Sequence, residues 1–345
     1  MAKIVGLDVG YGFVKATDGE TGFSFPSVVG EGHTNPTFRL KSVQTPILDD
    51  LKIAIGNNLY FIGKAAIRHS NFAYRDLSYT RTIGNDLELL FLTALSLFYN
   101  NKSREFKVVT GLPVDRMHLA EELEGRLLGE KTIKIPRRGV IQDTKTFYIS
   151  EVEIVPQPLG TYWSQFLDGD KEGTTYLPKG LIGIIDIGFR TTDLAAIDNG
   201  EYIPGNSKSF PTGLATAYRE IGVALAREYG LEKESYALDS AVINRKINIS
   251  GQTVDISAIV EEAFEKLATN ILVEINSQWR IQDLDRLIVT GGGGQAISSY
   301  LLRQLPQAEL AAEPNIANCS GFLAWGNWLW RVSGVDLEKE PVENE

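Results

Sequence analysis

The hydrophobic pattern of the chain occurs twice, about half a chain length apart. Residues 3–15 and residues 182–194 each contain an apolar run that ends in an aspartate, followed by glycine and polar positions. Because the apolar residues are consecutive, each run predicts a strand buried on both faces. Each copy then reaches a turn of hairpin type, at residues 18–20 and 199–201. The pattern predicts two related half-molecules, each offering a hairpin to a shared cleft.

The polar residues of the two copies occupy equivalent positions and suit phosphate chemistry. A carboxylate at a strand end, beside a glycine turn with exposed amides and hydroxyls, can face a phosphate and a divalent metal ion. One such aspartate after a strand is common, but two copies at this spacing favour a binding site. The equivalent pairs are Asp8 with Asp186, Gly10 with Gly188, and Lys15 with Asp193.

The hydrophobic pattern also predicts elements between and after the two copies. Apolar runs predict strands over residues 23–27, 106–113, 147–155 and 285–290, and a hairpin over residues 53–63. Helical spacing predicts helices over residues 87–98, 116–128, 215–229, 255–279 and about 295–305, with a last helix from about residue 317. In that last helix Ala317 and Gly321 would permit a tight helix crossing. Its residues Trp325, Trp328 and Trp330 are interpreted as core or interface packing.

Two positions at predicted helix starts have both a functional and an ordinary interpretation. The residue before a proline is pushed toward extended geometry, so Gln157 should lie at a strand end with a helix just beyond it. Its amide could orient a water molecule there, or it could simply begin the helix. Thr212 and Gly213 could likewise supply helix N-terminal amides to a ligand, or they could only cap the helix.

Four consecutive glycines, residues 291–294, separate a predicted strand from a predicted helix. Glycine lets the backbone approach a ligand very closely. Flexible connectors contain similar runs, but the flanking strand and helix make this turn a candidate nucleotide contact.

Composition narrows the class of protein. The chain has 345 residues, of which 43% are hydrophobic and 23% charged, so two domains with real cores are expected. The single cysteine, Cys319, excludes an internal disulfide and fits a reducing cytoplasm. We expect neither a signal peptide nor a membrane span. The net charge of −10 disfavours direct binding of nucleic acid.

Five pieces follow one another in a recognisable order. They are an Asp-x-Gly hairpin with lysine, a strand–glutamine–helix unit, a second Asp-x-Gly hairpin with Thr-Thr-Asp, a glycine-rich turn from strand to helix, and an Ala-Asn-x-x-Gly helix. This order resembles the actin, sugar-kinase and heat-shock-chaperone ATPase superfamily. Within it, the chain is similar to the prokaryotic actin-like proteins, the ParM/StbA group and its archaeal relatives. The most specific segments are residues 6–12, 156–157, 186–193 and 291–293.

The resemblance implies an α/β, actin-like fold in which two ribonuclease-H-like domains flank a nucleotide cleft. The first domain would comprise residues 1–160, completed by a C-terminal helix at about 317–333. The second would comprise residues 161–316, with an edge near a polar loop at 168–175. Residues 334–345 would form a disordered acidic tail.

The resemblance also implies a site for ATP or ADP with Mg²⁺. Asp8 and Asp186 would hold the metal ion through water. Gln157, with Asp193 near it, would position the attacking water, and Asp186 would take part in catalysis. Many ParM relatives carry glutamate in place of Gln157, so the glutamine predicts slow turnover. Further nucleotide contacts are assigned to Gly10, Tyr11, Gly12 and Lys15 on one side, Gly188, Arg190, Thr191, Thr192 and Gly213 on the other, and Gly291, Gly292, Gly293 and Gly294 along the adenosine.

The leading functional hypothesis is a cytoplasmic, filament-forming ATPase for plasmid or DNA segregation, with copies of itself and a small DNA-binding adaptor as partners. A sugar-type kinase is the alternative, although it needs an extra catalytic aspartate, for which Asp115 is the nearest candidate. A non-polymerising actin-like adaptor would want a terminal amphipathic helix, which the acidic tail does not provide. A chaperone is disfavoured because no substrate-binding region follows.

Overall fold

The structure is a computed structural model that describes residues 2–33, 46–137, 140–167 and 178–332. The loop predicted at 168–175 and the acidic tail predicted at 334–345 lie outside these residues. The strands are β1 (Lys3–Val9), β2 (Phe13–Thr17), β3 (Gly22–Pro26), β4 (Val29–Glu31), β5 (Lys52–Ile55), β6 (Asn58–Ile62), β7 (Ala73–Tyr74), β8 (Glu105–Leu112), β9 (Gly129–Arg137), β10 (Val140–Pro156), β11 (Leu181–Ile187), β12 (Thr192–Asp198), β13 (Glu201–Tyr202), β14 (Lys208–Phe210), β15 (Lys246–Ile249), β16 (Gln252–Asp255), β17 (Arg286–Thr290) and β18 (Ala308–Leu310). The helices are α1 (Lys64–His69), α2 (Asn85–Phe98), α3 (Ala120–Leu127), α4 (Gln157–Phe166), α5 (Leu214–Tyr229), α6 (Ser235–Asn244), α7 (Ser257–Gln278), α8 (Gly291–Leu301) and α9 (Ala317–Val332).

Two large sheets are built on the same plan. In the first, the order β3-β2-β1-β8-β10 places an antiparallel meander beside two strands parallel to β1. In the second, β12 pairs antiparallel with β11, while β17 and β18 continue parallel on the other side. This repetition confirms the predicted α/β fold with duplicated halves. We call the first sheet with its helices the first half, and the second sheet with its helices the second half.

Each half carries an insertion between its antiparallel strands and the next parallel strand. In the first half, β4 to β7 and α1 follow the β1–β3 meander and extend the sheet beyond β9. In the second half, α6 and the separate β15–β16 hairpin lie between α5 and α7.

The central strands are buried on both faces, as their consecutive apolar residues predict. Leu7 of β1 and Ile185 of β11 are fully buried in separate cores. The first core includes the strongly apolar α2, and the second includes one side of α5 and α7. Each half therefore has a hydrophobic core of its own, and a third core, which includes Val109 of β8 and Ile184 of β11, is shared between the two sheets.

Helices α4 and α9 cross at direct backbone contact. A Cβ atom added to Gly321 of α9 would overlap the carbonyl oxygen of Gly160 in α4, which confirms the tight crossing predicted at Gly321. Three indole rings stack beside the crossing. Trp163 and Trp325 lie 4.4 Å apart at 6°, and Trp325 and Trp328 lie 4.8 Å apart at 21°. Of the three tryptophans predicted to pack in a core or interface, Trp325 and Trp330 are partly buried against core residues, whereas Trp328 is 41% exposed.

Several element boundaries differ from the predictions. Helix α8 begins at Gly291, about four residues early, so the four glycines form its first turn. Residues 114–119 form a 3₁₀ helix before α3, in place of one continuous helix. Helix α4 continues through the proposed domain limit at residue 160, and α9 packs on the first sheet. The division into residues 1–160 and 161–316 stays a prediction.

Candidate functional site

A cavity of about 590 Å³ lies where the carboxyl ends of β1 and β11 face each other. Its walls come from both halves, namely the two hairpin loops and the first turns of α4, α8 and α9. Such a cleft between two domains is a common place for a small-molecule site. The predicted site residues that line it are Asp8, Gly10, Tyr11, Gly12, Lys15, Gln157, Asp186, Gly188, Thr191, Asp193, Gly291, Gly292 and Gly293.

The first hairpin brings a carboxylate, an ammonium group and an amide together. Asp8 and Lys15 are paired residues on β1 and β2, and the Lys15 Nζ atom lies 3.6 Å from Asp8 Oδ2. Gln157, the first residue of α4, donates from Nε2 to Asp8 Oδ1 at 3.3 Å. Gly111 permits this placement, because a Cβ atom there would lie 2.8 Å from Gln157 Cγ. The amide is thus held over the strand-end carboxylate.

The second hairpin places Asp186 in the equivalent position, but buried more deeply in acidic surroundings. Its Oδ2 atom accepts a hydrogen bond from Asn318 Nδ2 at 2.7 Å. The pKa of Asp186 is raised to about 7, chiefly by burial; the Asn318 hydrogen bond lowers this pKa, and the nearby acids Asp193 and Asp8 raise it. A cation in the cavity would relieve this cost, because an opposite charge favours the ionised carboxylate.

Asp193 is paired with Asp186 in the register in which Lys15 is paired with Asp8. Its carboxylate accepts hydrogen bonds from Thr191 Oγ1 at 2.8 Å, from Ser209 Oγ, and from the backbone amide of Val114 at 3.0 Å. Val114 follows β8 of the first half, so Asp193 joins the halves at the cavity wall. Burial raises its pKa, although these hydrogen bonds oppose the shift.

Glycines make the cavity floor a backbone surface suited to an anion. Gly291 has φ +83°, and a Cβ atom there would collide with Asp186 Oδ1. At Gly293 a Cβ atom would lie 2.7 Å from the carbonyl oxygen of Ile187. The first turn of α8 therefore presses against the end of β11 without side chains. Helix N-terminal amides lack intrahelical partners and favour negative charge, so this turn fits a phosphorylated ligand.

Four predicted contacts lie behind the cavity wall instead of in it. Arg190 donates from Nε to the Leu77 carbonyl at 3.1 Å and from Nη1 to the Pro211 carbonyl at 2.9 Å. Its side chain lines a second cavity, of about 620 Å³, on the far side of α5. Thr192 Oγ1 donates to Thr212 O at 2.7 Å. Gly213 and Gly294 serve packing, because Cβ atoms there would meet Phe189 O at 2.8 Å and Val289 Cγ1 at 3.1 Å.

The structure adds residues that the sequence analysis did not assign to the site. Asn318 and Ser209 bind the two buried aspartates of the second half. The Ala-Asn-x-x-Gly motif signalled Asn318, whereas nothing near Ser209 in the sequence marks it. The cavity also has an apolar end that suits a planar base, and it is formed by Leu214, Tyr218, Val242, Ile243, Phe264 and Ala296.

A magnesium ion would find two acidic groups here rather than a full protein cage. Asp8 is 5% exposed and Asp186 is 6% exposed. Within the described parts of the chain, no group of three or more His, Cys, Asp or Glu side chains could hold a metal ion. Magnesium is usually bound by one or two carboxylates together with waters and substrate phosphates. The pair Asp8 and Asp186 fits that requirement.

No helix in the described residues is both long enough and apolar enough to span a membrane.

Comparisons with known proteins agree with this architecture. Residues 6–160 match the family model of the N-terminal domain of actin-like proteins, and residues 184–302 match that of the C-terminal domain of the MreB-like archaeal actin homologue. Together the two models cover most of the chain, and they follow the order of its two halves. The chain therefore belongs to the actin-like proteins. No curated protein matches it.

Solved structures of actin-like proteins share the fold over nearly the whole chain. A ParM from Clostridium botulinum, solved as a 15-stranded filament, has a TM-score of 0.78 and 23% identity, covering 95% of this chain and 100% of its own. An archaeal actin homologue has a TM-score of 0.78 and 21% identity with the same coverage, and was also solved with ADP. Bacillus thuringiensis ParM with AMPPNP has a TM-score of 0.69 and 16% identity, covering 95% and 98%.

Proposed function

We propose that this chain binds Mg·ATP in the cleft between its halves, hydrolyses it slowly, and assembles into cytoplasmic filaments that segregate plasmid or other DNA. The observation that carries the proposal is the convergence of Asp8, Lys15 and Asp186 on one cavity that is floored by glycine backbone and ends in an apolar slot. This arrangement offers positive charge, backbone amides and carboxylates to a phosphate chain, and apolar surface to a base.

The residues divide the work of phosphoryl transfer, which depends on positioning and charge neutralisation. Lys15 and the amides of the two hairpin loops hold phosphate oxygens. Asp8 and Asp186 would hold a magnesium ion through water, and that ion would supply charge neutralisation at the phosphates. Gln157 orients the attacking water from the first turn of α4. An amide accepts a proton poorly, so turnover is slow and suits a timer of filament lifetime.

The filament part of the proposal rests on the likeness to ParM proteins, one of which was solved as a filament. Copies of the chain are the primary partner, and a small DNA-binding adaptor is the second. The adaptor is required because the chain carries a net charge of −10, which opposes direct contact with DNA. The ADP and AMPPNP complexes of relatives support an adenine nucleotide as the ligand.

The kinase alternative needs an aspartate directed at a substrate hydroxyl. Asp115 does not line the cavity, and its Oδ1 atom accepts a hydrogen bond from the Ser209 amide at 3.1 Å. Its own amide donates to Ser209 Oγ at 3.1 Å, so the residue joins the two halves. This placement favours the ATPase over the kinase.

A comparison of three variants tests the nucleotide site. Lys15→Ala removes a phosphate contact, so we expect weaker binding of a fluorescent ATP analogue. Gln157→Ala should retain binding but lower phosphate release by about a hundredfold, since misplaced water is costly in rate. Lys266→Ala is the matched control, because this lysine is exposed on α7 and pairs with Glu262. Wild-type protein that binds no ATP analogue would contradict the whole proposal.

Assembly is tested separately by pelleting and electron microscopy after ATP addition. We expect polymer with ATP, and longer-lived polymer for Gln157→Ala, because hydrolysis would loosen the lattice. Tight ATP binding without polymer across protein concentrations and salts would leave the ATPase in place and refute the filament.

A further inference from the structure

Asn318 connects Asp186 to a buried chain of hydroxyl groups. It is the second residue of α9 and is 8% exposed. Its Nδ2 atom donates to Asp186 Oδ2 at 2.7 Å, and its Oδ1 atom accepts from Thr161 Oγ1 at 2.8 Å. Thr161 in turn lies 2.9 Å from Thr290 Oγ1. Both threonines are fully buried, so the amide bridges a carboxylate and two hydroxyls out of contact with solvent.

The direction of these hydrogen bonds is fixed by their chemistry. Thr161 gives its proton to the Asn318 carbonyl, so its oxygen is free to accept the proton of Thr290. When Asp186 is ionised, as the metal-bound state of the proposed function requires, it only accepts, so the NH₂ end of Asn318 faces it. Hydrogen bonds in such a chain polarise one another, and an unpaired group in a buried chain is costly. The whole chain therefore specifies one orientation of the Asn318 amide.

Close backbone packing keeps Asn318 in this place. A Cβ atom at Gly160 would lie 2.7 Å from the Cα atom of Asn318, so α4 leaves no room for another position. On the other side of the carboxylate, Gly291 leaves space for Asp186 Oδ1 at the first turn of α8. Asp186 is thus held at Oδ2 by α9 while Oδ1 lies beside a residue of the cavity floor.

We propose that Asn318 is a positioning residue for the metal-binding carboxylate, and that Thr161 and Thr290 hold Asn318 in the orientation this requires. The proposal rests on the proposed function, in which Asp186 holds magnesium through water. Residues behind a metal ligand fix its orientation, and their loss typically lowers metal affinity by about 10- to 100-fold. Asn318 also lines the cavity.

The test measures binding of a fluorescent ATP analogue during a Mg²⁺ titration and in EDTA. Asn318→Leu keeps the approximate size of the side chain but removes both hydrogen bonds. We expect it to raise the Mg²⁺ concentration needed for half-saturation by about tenfold, with a much smaller change of affinity in EDTA. A matched pair of variants tests the hydroxyl that binds Asn318. Thr161→Val removes this hydroxyl and should shift the titration in the same direction, whereas Thr161→Ser keeps it and should restore the wild-type curve. Circular dichroism verifies that each variant is folded.

The possible outcomes separate this proposal from the proposed function. Mg²⁺-dependent binding that is the same in wild type, Asn318→Leu and Thr161→Val would overturn the positioning role alone. Equal losses in EDTA and in Mg²⁺ would also overturn it, because they indicate a merely structural role. Should Asn318→Leu not fold, the two Thr161 variants decide the question. A wild-type chain that binds no analogue would overturn both proposals.

Discussion

The carboxylates of Asp8 and Asp186 are buried at equivalent strand ends. Burial of these charges lowers the stability of the nucleotide-free protein. Lys15 compensates Asp8 at 3.6 Å, whereas the register position opposite Asp186 holds a second acid, Asp193. The second half is therefore the more acidic side of the cavity. Its negative charge favours a bound cation and opposes the empty state.

This asymmetry gives the nucleotide-free protein a predictable pH dependence. The pKa of Asp186 is raised to about 7, above its unfolded value of about 3.9. Between these values the native state binds more protons, so this group's contribution to the free energy of unfolding falls as pH rises from about 4 to 7. Asp186→Asn should remove that slope and raise the Tm at pH 8 by at least about 2 °C.

Thermal unfolding without nucleotide between pH 5 and pH 8 checks this prediction. Asp283→Asn is the control, because Asp283 is an exposed carboxylate outside the cavity. A pH slope that is identical in wild type and Asp186→Asn would show that Asp186 ionises normally in the folded protein.

At the scale of single residues, the sequence predicted the strand-end groups well. Asp8, Lys15, Asp186 and Gln157 line the cavity because strand ends and hairpin registers are local properties. Arg190 was predicted to contact phosphate, but its side chain does not line the cavity and instead donates to the Leu77 and Pro211 carbonyls. Sequence spacing does not determine the direction of a long side chain.

Among the elements, the crossing of α4 and α9 sets the geometry beneath the site. Gly160 and Gly321 are in backbone contact there, and the adjoining residues Thr161 and Asn318 reach Asp186 through hydrogen bonds. A change in this crossing would therefore move the Asp186 carboxylate as well as the helices.

Glycine-to-alanine substitutions measure this contact. At Gly321 a methyl group would overlap Gly160 O, so Gly321→Ala should lower the free energy of unfolding by about 3 kcal/mol or more. Gly125 of α3 has no atom within 4 Å of an added Cβ, so Gly125→Ala should stabilise by about 0.5–1 kcal/mol. Urea unfolding of the two variants provides the comparison, and an equal response at both positions would refute tight packing at the crossing.

Long strands and helices were predicted where the apolar pattern is strong, as in β11, α2 and α5. The start of α8 was misplaced because four glycines usually disfavour a helix, whereas here contact with the end of β11 requires them. The short α6 and the β15–β16 hairpin were not predicted, since their few apolar positions carry little periodicity.

Across the whole molecule, the two halves are also joined at the outer side of the cleft. Arg75 of the first half donates to Asp239 of α6, with Nη2 2.5 Å from Oδ2 and Nη1 3.3 Å from Oδ1. The guanidinium lies 4.5 Å from the ring centroid of Phe189. Phe189 belongs to the second hairpin loop and faces Gly12 of the first. The ion pair thus connects α6, which lines the apolar slot, to both hairpin loops.

Breaking this pair should loosen the closed cleft. The side chain of Arg75 is 1% exposed, so Asp239→Asn leaves a buried guanidinium without its counter-charge. We expect release of a fluorescent ADP analogue to become about tenfold faster, which corresponds to about 1.4 kcal/mol. Stopped-flow displacement measures the rate. Arg227→Ala, at an exposed pair with Glu228, is the control, and equal release rates in all three proteins would exclude a role for the pair in closure.

The sequence could not have revealed this connection, because its partners are 164 positions apart and neither belongs to a motif. By contrast, the duplicated plan of the halves was visible, since each copy repeats the same local pattern. Contacts between halves depend on how two folded units meet, and that information is not present in any single segment.

The tryptophan stack at the helix crossing has a practical consequence. Three of the chain's five tryptophans overlap face to face, so their electronic transitions are coupled. One indole belongs to α4 and two belong to α9, and the overlap therefore depends on the angle between these helices. The molecule carries an intrinsic optical reporter, in which exciton bands in the ultraviolet would register a change in the crossing of α4 and α9 without any attached dye.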